Sequence, residues 1–167
     1  MGFKEQLEDI YDLELKTDEP MKKHTTLGCG GRAKWYTEIR SLYSLNRAVL
    51  AAKRCRVPVK IIGGGSNVLV SDKGFNGLII STVRLKDVFM RREGITAMCG
   101  AQLSALCAFA AKSGLSGLEW AAGIPGTAGG AAVQNAGAFG HSAGDVILWV
   151  ETLKNGKLAR YYNKTCK

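Results

Sequence analysis

Glycine crowds into two short stretches of this chain, and each interrupts segments that carry the patterning of packed secondary structure. The first is Gly63-Gly64-Gly65-Ser66-Asn67, directly after the β-branched run Val59-Lys60-Ile61-Ile62. The second runs from Gly114 to Gly144 and contains Ala122-Gly123-Ile124-Pro125-Gly126-Thr127-Ala128-Gly129-Gly130 and Asn135-Ala136-Gly137-Ala138-Phe139-Gly140. Successive glycines adopt conformations closed to other residues and let backbone N–H groups converge into a concave donor surface suited to phosphate oxygens. The 63–67 stretch fits that description: it follows an apolar strand pattern, adds side-chain donors in Ser66 and Asn67, and carries no acid to repel a phosphate. A diphosphate ligand is the sharp reading, and a plain tight turn between strands is the bland one.

The second stretch works differently. Pro125 fixes one dihedral between Gly123 and Gly126, and Thr127 to Val133 can then form a short helix whose N-terminal amides point at whatever lies in front. An anionic or electron-rich ring edge there gains about 0.3 to 1 kcal/mol from the helix dipole. Small residues also permit close backbone approach to a flat ring system. Tight helix packing through glycine and alanine explains the same composition without a ligand.

Around these stretches, Phe3, Leu7, Ile10 and Tyr11 recur at helical spacing and predict a leader helix outside the main core, ending before Pro20. Ala33 to Ile39 alternates like a strand, and Ser41 can cap a helix with Leu42, Leu45, Ala48, Val49 and Ala52 on one face. Val59 to Ile62 predicts a buried strand that resumes after the glycines as Val68-Leu69-Val70, making a β-α-β unit. Gly77 to Thr82 and Gly94 to Cys99 predict strands, and Gln102 to Ser113 a helix stopped by Gly114. Val146 to Leu153 and Lys157 to Tyr162 flank Asn155-Gly156 as a hairpin. The expected organisation is a leader over residues 1–20, a first lobe over 21–75 and a second over 76–167, an α+β fold of two small α/β lobes.

Composition narrows the function classes. With 46% hydrophobic and 22% charged residues in 167, the chain is globular, and it has no apolar run of the ~18 residues a membrane helix needs. The N-terminus lacks the apolar core of a signal peptide, which predicts a cytoplasmic protein. The net charge of +9 raises nucleic acid as a partner. However, Lys22-Lys23, Lys53-Arg54 with Arg56, and Arg91-Arg92 are scattered, without interleaved aromatics, and fit solvated faces that attract a small anion. Cys29, Cys55, Cys99, Cys107 and Cys166 form no Cys-x-x-Cys pair and predict reduced thiols, with no metal site.

Three familiar motifs fail on context. Gly28-Cys29-Gly30-Gly31-Arg32-Ala33 matches the dinucleotide fingerprint, but a strand pattern follows where a helix is required. Gly140-His141-Ser142-Ala143-Gly144 matches a nucleophile elbow, but no strand pattern precedes it and no histidine follows His141. The P-loop pattern is absent. His24, beside Lys22 and Lys23, is expected to be exposed, and Glu119 could be a buried, partnered carboxylate, although a structural role is the simpler reading.

The succession Lys23-His24-Thr25-Thr26-Leu27 with Gly30-Gly31, then Ile61 to Val70, then Gly117-Leu118-Glu119 with Gly123 to Thr127 and Gly129-Gly130, then Asn135 to Gly140, resembles the UDP-N-acetylenolpyruvoylglucosamine reductases from about Lys23 to the C-terminus. The resemblance implies a flavin-binding fold of the vanillyl-alcohol-oxidase type, with FAD held between two lobes and a UDP-sugar on a third. Carried over by motif, Gly63, Gly64, Gly65, Ser66 and Asn67 would cradle the FAD diphosphate. Gly123, Ile124, Pro125, Gly126, Thr127, Gly130, Asn135, Ala136, Gly137 and Ala138 would lie along the flavin ring and ribityl chain. NADPH would reduce the flavin in the full-length enzyme, which would form UDP-N-acetylmuramate for peptidoglycan. The family's catalytic arginine, serine and glutamate have no counterpart in these residues, so the expectation is FAD binding without turnover. Self-association through a surface left by the absent lobe is also expected. Gly28-Cys29 departs from the family's bulkier turn. A stand-alone FAD-binding module of the wider oxidase group is the alternative.

Overall fold

The computed structural model describes residues 2–165 and divides the chain into two compact units, Met1–Leu85 and Lys86–Lys167. In the first unit, α1 (Phe3–Glu8) leads into β1 (Leu15–Pro20), a 3-10 turn (Met21–Lys23), β2 (Arg32–Glu38), α2 (Leu42–Arg54), β3 (Val59–Ile62) and β4 (Phe75–Ser81). The sheet order is β1-β2-β4-β3, with β1 antiparallel to β2 and the other neighbours parallel.

β2 and β4 each have paired neighbours on both sides, and in β4, parallel to both of its neighbours, Leu78, Ile79 and Ile80 are all buried, the continuous apolar run that parallel pairing demands. That pairing places the unit boundary after Leu85 and not after residue 75, since removing β4 would leave β2 and β3 unjoined. The expectation of a buried β3 is corrected, because β3 lies at the sheet edge and only its Ile62 is buried. Residues 68–70 form no strand either. Val68 and Val70 pack instead against a cluster of Met21, Ala33, Tyr36, Ile62 and Ile79.

The N-terminal segment belongs to the core, contrary to its expected place outside it. Phe3, Leu7 and Ile10 are buried, Phe3 meets Trp35 edge-to-face at 4.8 Å, and residues 15–20 supply an edge strand. Tyr11, read as part of the apolar face, is fully exposed just beyond the helix. Ser41 caps α2 as its sequence predicts, accepting a hydrogen bond from the Ser44 amide at 3.1 Å. A cap of this kind contributes about 1 kcal/mol.

The second unit contains the hairpin β5 (Val88–Arg91) and β6 (Gly94–Ala97), then α3 (Leu103–Lys112), α4 (Ala128–Gln134), a short β7–β8 pair (Gly137–Ala138 with His141–Ser142), α5 (Ala143–Val146) and the hairpin β9 (Trp149–Lys154) and β10 (Lys157–Tyr162). Gly114 follows α3 with φ +70°, and Asn155 and Gly156 both have positive φ, as a two-residue hairpin turn requires. Leu103, Trp120, Ala121, Ala131 and Ala143 form its core. No helix among the described residues is long and apolar enough to cross a membrane. Cys29, Cys55, Cys99 and Cys107 are free thiols, and Cys166 lies outside the described residues.

Candidate functional site

The first glycine stretch turns sharply after β3 and presses against the chain at His24. Gly65 is buried at φ +71°, and a Cβ there would lie 2.0 Å from the His24 carbonyl oxygen. Only glycine fits on both counts, conformation and space. The Thr26 amide donates to the Gly65 carbonyl at 3.1 Å, so residues 24–26 form a floor beneath the turn. Among the described residues, the amides of Gly63 and Gly64 donate to no protein acceptor. A cavity of about 320 Å³ opens beside them, lined by Gly63 and Gly64 with Lys23, His24, Thr25, Thr26, Tyr36, Glu38, Ser81 and neighbouring apolar side chains.

His24 is not exposed, which corrects the sequence expectation. Its ring stacks on Tyr36 with centroids 4.0 Å apart, and its Nε2 lies 2.9 Å from Glu19 Oε1. That hydrogen bond holds the Glu19 carboxyl below its usual range, against the opposing effect of burial. Burial pushes the Tyr36 phenol well up, so it stays neutral and donates to Glu38 Oε1 at 3.3 Å. Burial alone would raise Glu38, but Arg84, with Nε 2.7 Å from Oε2, keeps that carboxyl below its usual value. The polar side chains of the cavity wall are thus each held by a partner, and Lys23 is exposed at its edge.

The second stretch folds as its sequence predicts, but its donors are spent inside the unit. Thr127 is buried and caps α4, its hydroxyl oxygen accepting from the Gly130 amide at 3.4 Å. The Ala128 amide donates to the Ala101 carbonyl and the Gly129 amide to the Cys99 carbonyl, each at 2.8 Å. The expectation of free N–H groups at this helix end is therefore corrected: backbone carbonyls from the segment before α3 fill it. Gly129 serves the same close packing, because a Cβ there would lie 2.6 Å from Cys99 Cβ. What remains open is surface. Gly123, Pro125, Gly130, Asn135 and Gly137 are exposed, and a Cβ on Gly123 would meet nothing within 4 Å.

Ile124 and Ala136 pack against the core of the unit. Asn135 ends α4 in the left-handed conformation at φ +44°, and its Oδ1 accepts from the Gly144 amide at 2.8 Å. Gly137 and Ala138 pair with Ser142 and His141, and Gly137 leaves no room for a side chain, since a Cβ would lie 2.6 Å from the His141 carbonyl. Gly126 has φ +146°, and its carbonyl accepts from the Leu103 amide.

The remaining motifs resolve without chemistry. Glu119 is exposed and bonds the Gly117 amide, which corrects the suggestion of burial and keeps the structural role. Ser142 Oγ donates to Asp145 at a helix start, so it is a capping residue and not a nucleophile. A strand begins at Arg32, in agreement with the rejection of the dinucleotide fingerprint. No cluster that could hold a metal occurs among the described residues. Sequence reasoning missed Glu19 and Tyr36, which reach His24 from two different strands. Only the Lys-His-Thr-Thr succession hinted that this segment mattered.

The family model described as FAD binding domain matches residues 34–160. A UDP-N-acetylenolpyruvoylglucosamine reductase of Agathobacter rectalis is 44% identical over 84% of this chain and 49% of its own length, and one of Rubrobacter xylanophilus is 42% identical over 87% and 49%. The chain therefore spans about half the length of these curated relatives. Among solved structures, the reductase from Thermus caldophilus superposes with a TM-score of 0.71 at 32% identity, over 91% of this chain and 53% of that one. A Physcomitrella patens BBE-like protein, at 16% identity, shares the fold alone, with a TM-score of 0.71 over 99% of this chain and 39% of its own. The match to the FAD binding domain model over residues 34–160, joined to more than 40% identity with the reductases, places this chain in the UDP-N-acetylenolpyruvoylglucosamine reductase family.

Proposed function

We propose that this chain is the FAD-holding part of a reductase that converts UDP-N-acetylenolpyruvoylglucosamine into UDP-N-acetylmuramate with NADPH, a cytoplasmic step of peptidoglycan synthesis. The observation that carries the reading is the glycine turn at 63–67, whose Gly63 and Gly64 amides have no protein acceptor among the described residues and whose Gly65 admits no side chain. That donor set fits a diphosphate. In this reading Gly63 to Asn67 hold the FAD diphosphate. Within Gly123 to Thr127, Gly130 and Asn135 to Ala138, the exposed Gly123, Pro125, Gly130, Asn135 and Gly137 offer a low surface to the flavin ring and ribityl chain, and Ile124, Thr127 and Ala136 support it from the core. Because carbonyls of the chain itself occupy the amides of Ala128 and Gly129, this second surface acts through close approach and not through a helix dipole.

Bound FAD supplies hydride transfer, and the protein supplies position and exclusion of water. Reduction of the UDP-sugar belongs to the whole protein, and the 167-residue chain alone is proposed to bind FAD without turning substrate over. Val133, Phe139 and Leu148 are 82%, 92% and 58% exposed, which supports self-association of this chain; light scattering at rising concentration tests that, and a clean monomer refutes it. For the cofactor, the chain is incubated with FAD, desalted, and its visible spectrum recorded beside that of a Gly64→Val variant. Retained flavin that the variant loses supports the reading. A folded parent that retains none refutes FAD binding by this chain.

A further inference from the structure

The turn at 63–67 rests on residues 24–26, and what fixes that floor is a set of side chains in and behind the wall of the neighbouring cavity. His24 ends the 3-10 turn, its amide donating to the Met21 carbonyl at 2.8 Å. Its carbonyl is the atom against which Gly65 packs, and the Thr26 amide two residues on carries the Gly65 carbonyl. Thr25 bonds only forward in the chain, its hydroxyl donating to the Cys29 carbonyl. The imidazole of His24 is the side chain that ties this segment to the sheet. It is hydrogen-bonded to Glu19 on β1 and stacked on Tyr36 of β2, and only 16% of the side chain is exposed.

These contacts are expensive to arrange by chance. Glu19 is 15% exposed and Tyr36 is buried, so little water reaches either partner to replace the imidazole. Tyr36 is itself held by its bond to Glu38, which Arg84 anchors in turn. The result is a chain of contacts from the sheet, through the His24 ring, to the carbonyl under Gly65. The distance between floor and turn decides where the Gly63 and Gly64 amides sit, and a bidentate anion is sensitive to shifts of well under 1 Å.

We infer that His24 is a positioning residue for the diphosphate site, with Glu19 and Tyr36 clamping its ring so that its main-chain carbonyl sets the height of the 63–67 turn. The inference rests on the proposed FAD function and names a residue that controls that same site through the position of its backbone.

The test measures equilibrium binding of FAD, of ADP and of riboflavin, which lacks the diphosphate, to the whole chain and to His24→Ala. Loosening the clamp is expected to weaken FAD and ADP about tenfold while leaving riboflavin unchanged. A merely structural role would not produce that split. Glu19→Gln, which keeps an acceptor for the imidazole N–H, is expected to stay within about threefold of the parent, and it carries the test should His24→Ala not fold. Glu19→Ala should resemble His24→Ala. Equal loss of all three ligands in His24→Ala, no loss at all, or a Glu19→Ala variant that binds FAD like the parent would each overturn the inference. Failure of the parent to bind FAD would instead strike the proposed function itself.

Discussion

The two glycine stretches look alike in composition and do opposite things with their backbone donors. At 63–67, glycine permits a turn so tight against His24 that no side chain fits, and it leaves the Gly63 and Gly64 amides without a protein acceptor among the described residues. At 126–130, glycine lets α4 come within packing distance of Cys99, and the amides of Ala128, Gly129 and Gly130 are all taken by acceptors within the unit. Glycine density alone therefore does not mark an anion site. The mark is glycine whose amides the fold has not already used.

The largest effect expected from breaking this contrast is at Gly65. Gly65→Ala must place a methyl 2.0 Å from a carbonyl oxygen at a φ that disfavours it. A loss on the order of 3 kcal/mol or more is expected, read by denaturant unfolding. A stability like the parent's would mean that the turn relaxes freely and the contrast is false. Gly129→Ala comes next. Its Cβ would meet Cys99 Cβ at 2.6 Å, which predicts about 1–3 kcal/mol of destabilisation. Cys99→Ala in the same chain should relieve little of it, because the Cys99 carbonyl oxygen also lies 2.9 Å from that Cβ.

Acid supplies a milder probe of the first region. The Glu19 and Glu38 carboxyls are held below the usual 4.5 in the folded unit by His24 and Arg84, so their contribution is complete above about that pH and is lost as the pH falls through the lowered values. Unfolding midpoints should therefore drop on acidification below 4.5, and the drop should be shallower in Glu19→Gln. A pH slope unchanged by that substitution would remove Glu19 from the account. The smallest expected effect on stability is at Gly123, where a Cβ meets nothing within 4 Å. Gly123→Ala should change stability by less than about 0.5 kcal/mol. If this surface lies against the flavin ring, the same substitution weakens FAD measurably in a fluorescence titration.

Local signals carried much of the architecture. Ser41 before an apolar-periodic segment, Gly114 after one, Asn155-Gly156 between two strand patterns and Thr127 ahead of a small-residue helix each specify their structure through hydrogen bonds within a few residues. The glycine turn at 63–67 and the family motifs were equally legible, because they are contiguous in the chain.

What the sequence could not decide was pairing across distance. Whether β3 or β4 sits at the centre of the sheet depends on which strand finds two neighbours, and both are short apolar runs. The N-terminal helix could be placed in the core only once Phe3 had met Trp35. Occupation of the start of α4 by the Cys99 and Ala101 carbonyls required tertiary contact across more than twenty residues. His24 shows the same limit most sharply. Read beside two lysines it is a solvated residue, and only the approach of Glu19 and Tyr36 from separate strands makes it a half-buried, hydrogen-bonded support for the turn. Local chemistry fixes what a segment can form. Burial and the competition for hydrogen-bond partners, settled by the whole fold, fix what it is free to bind.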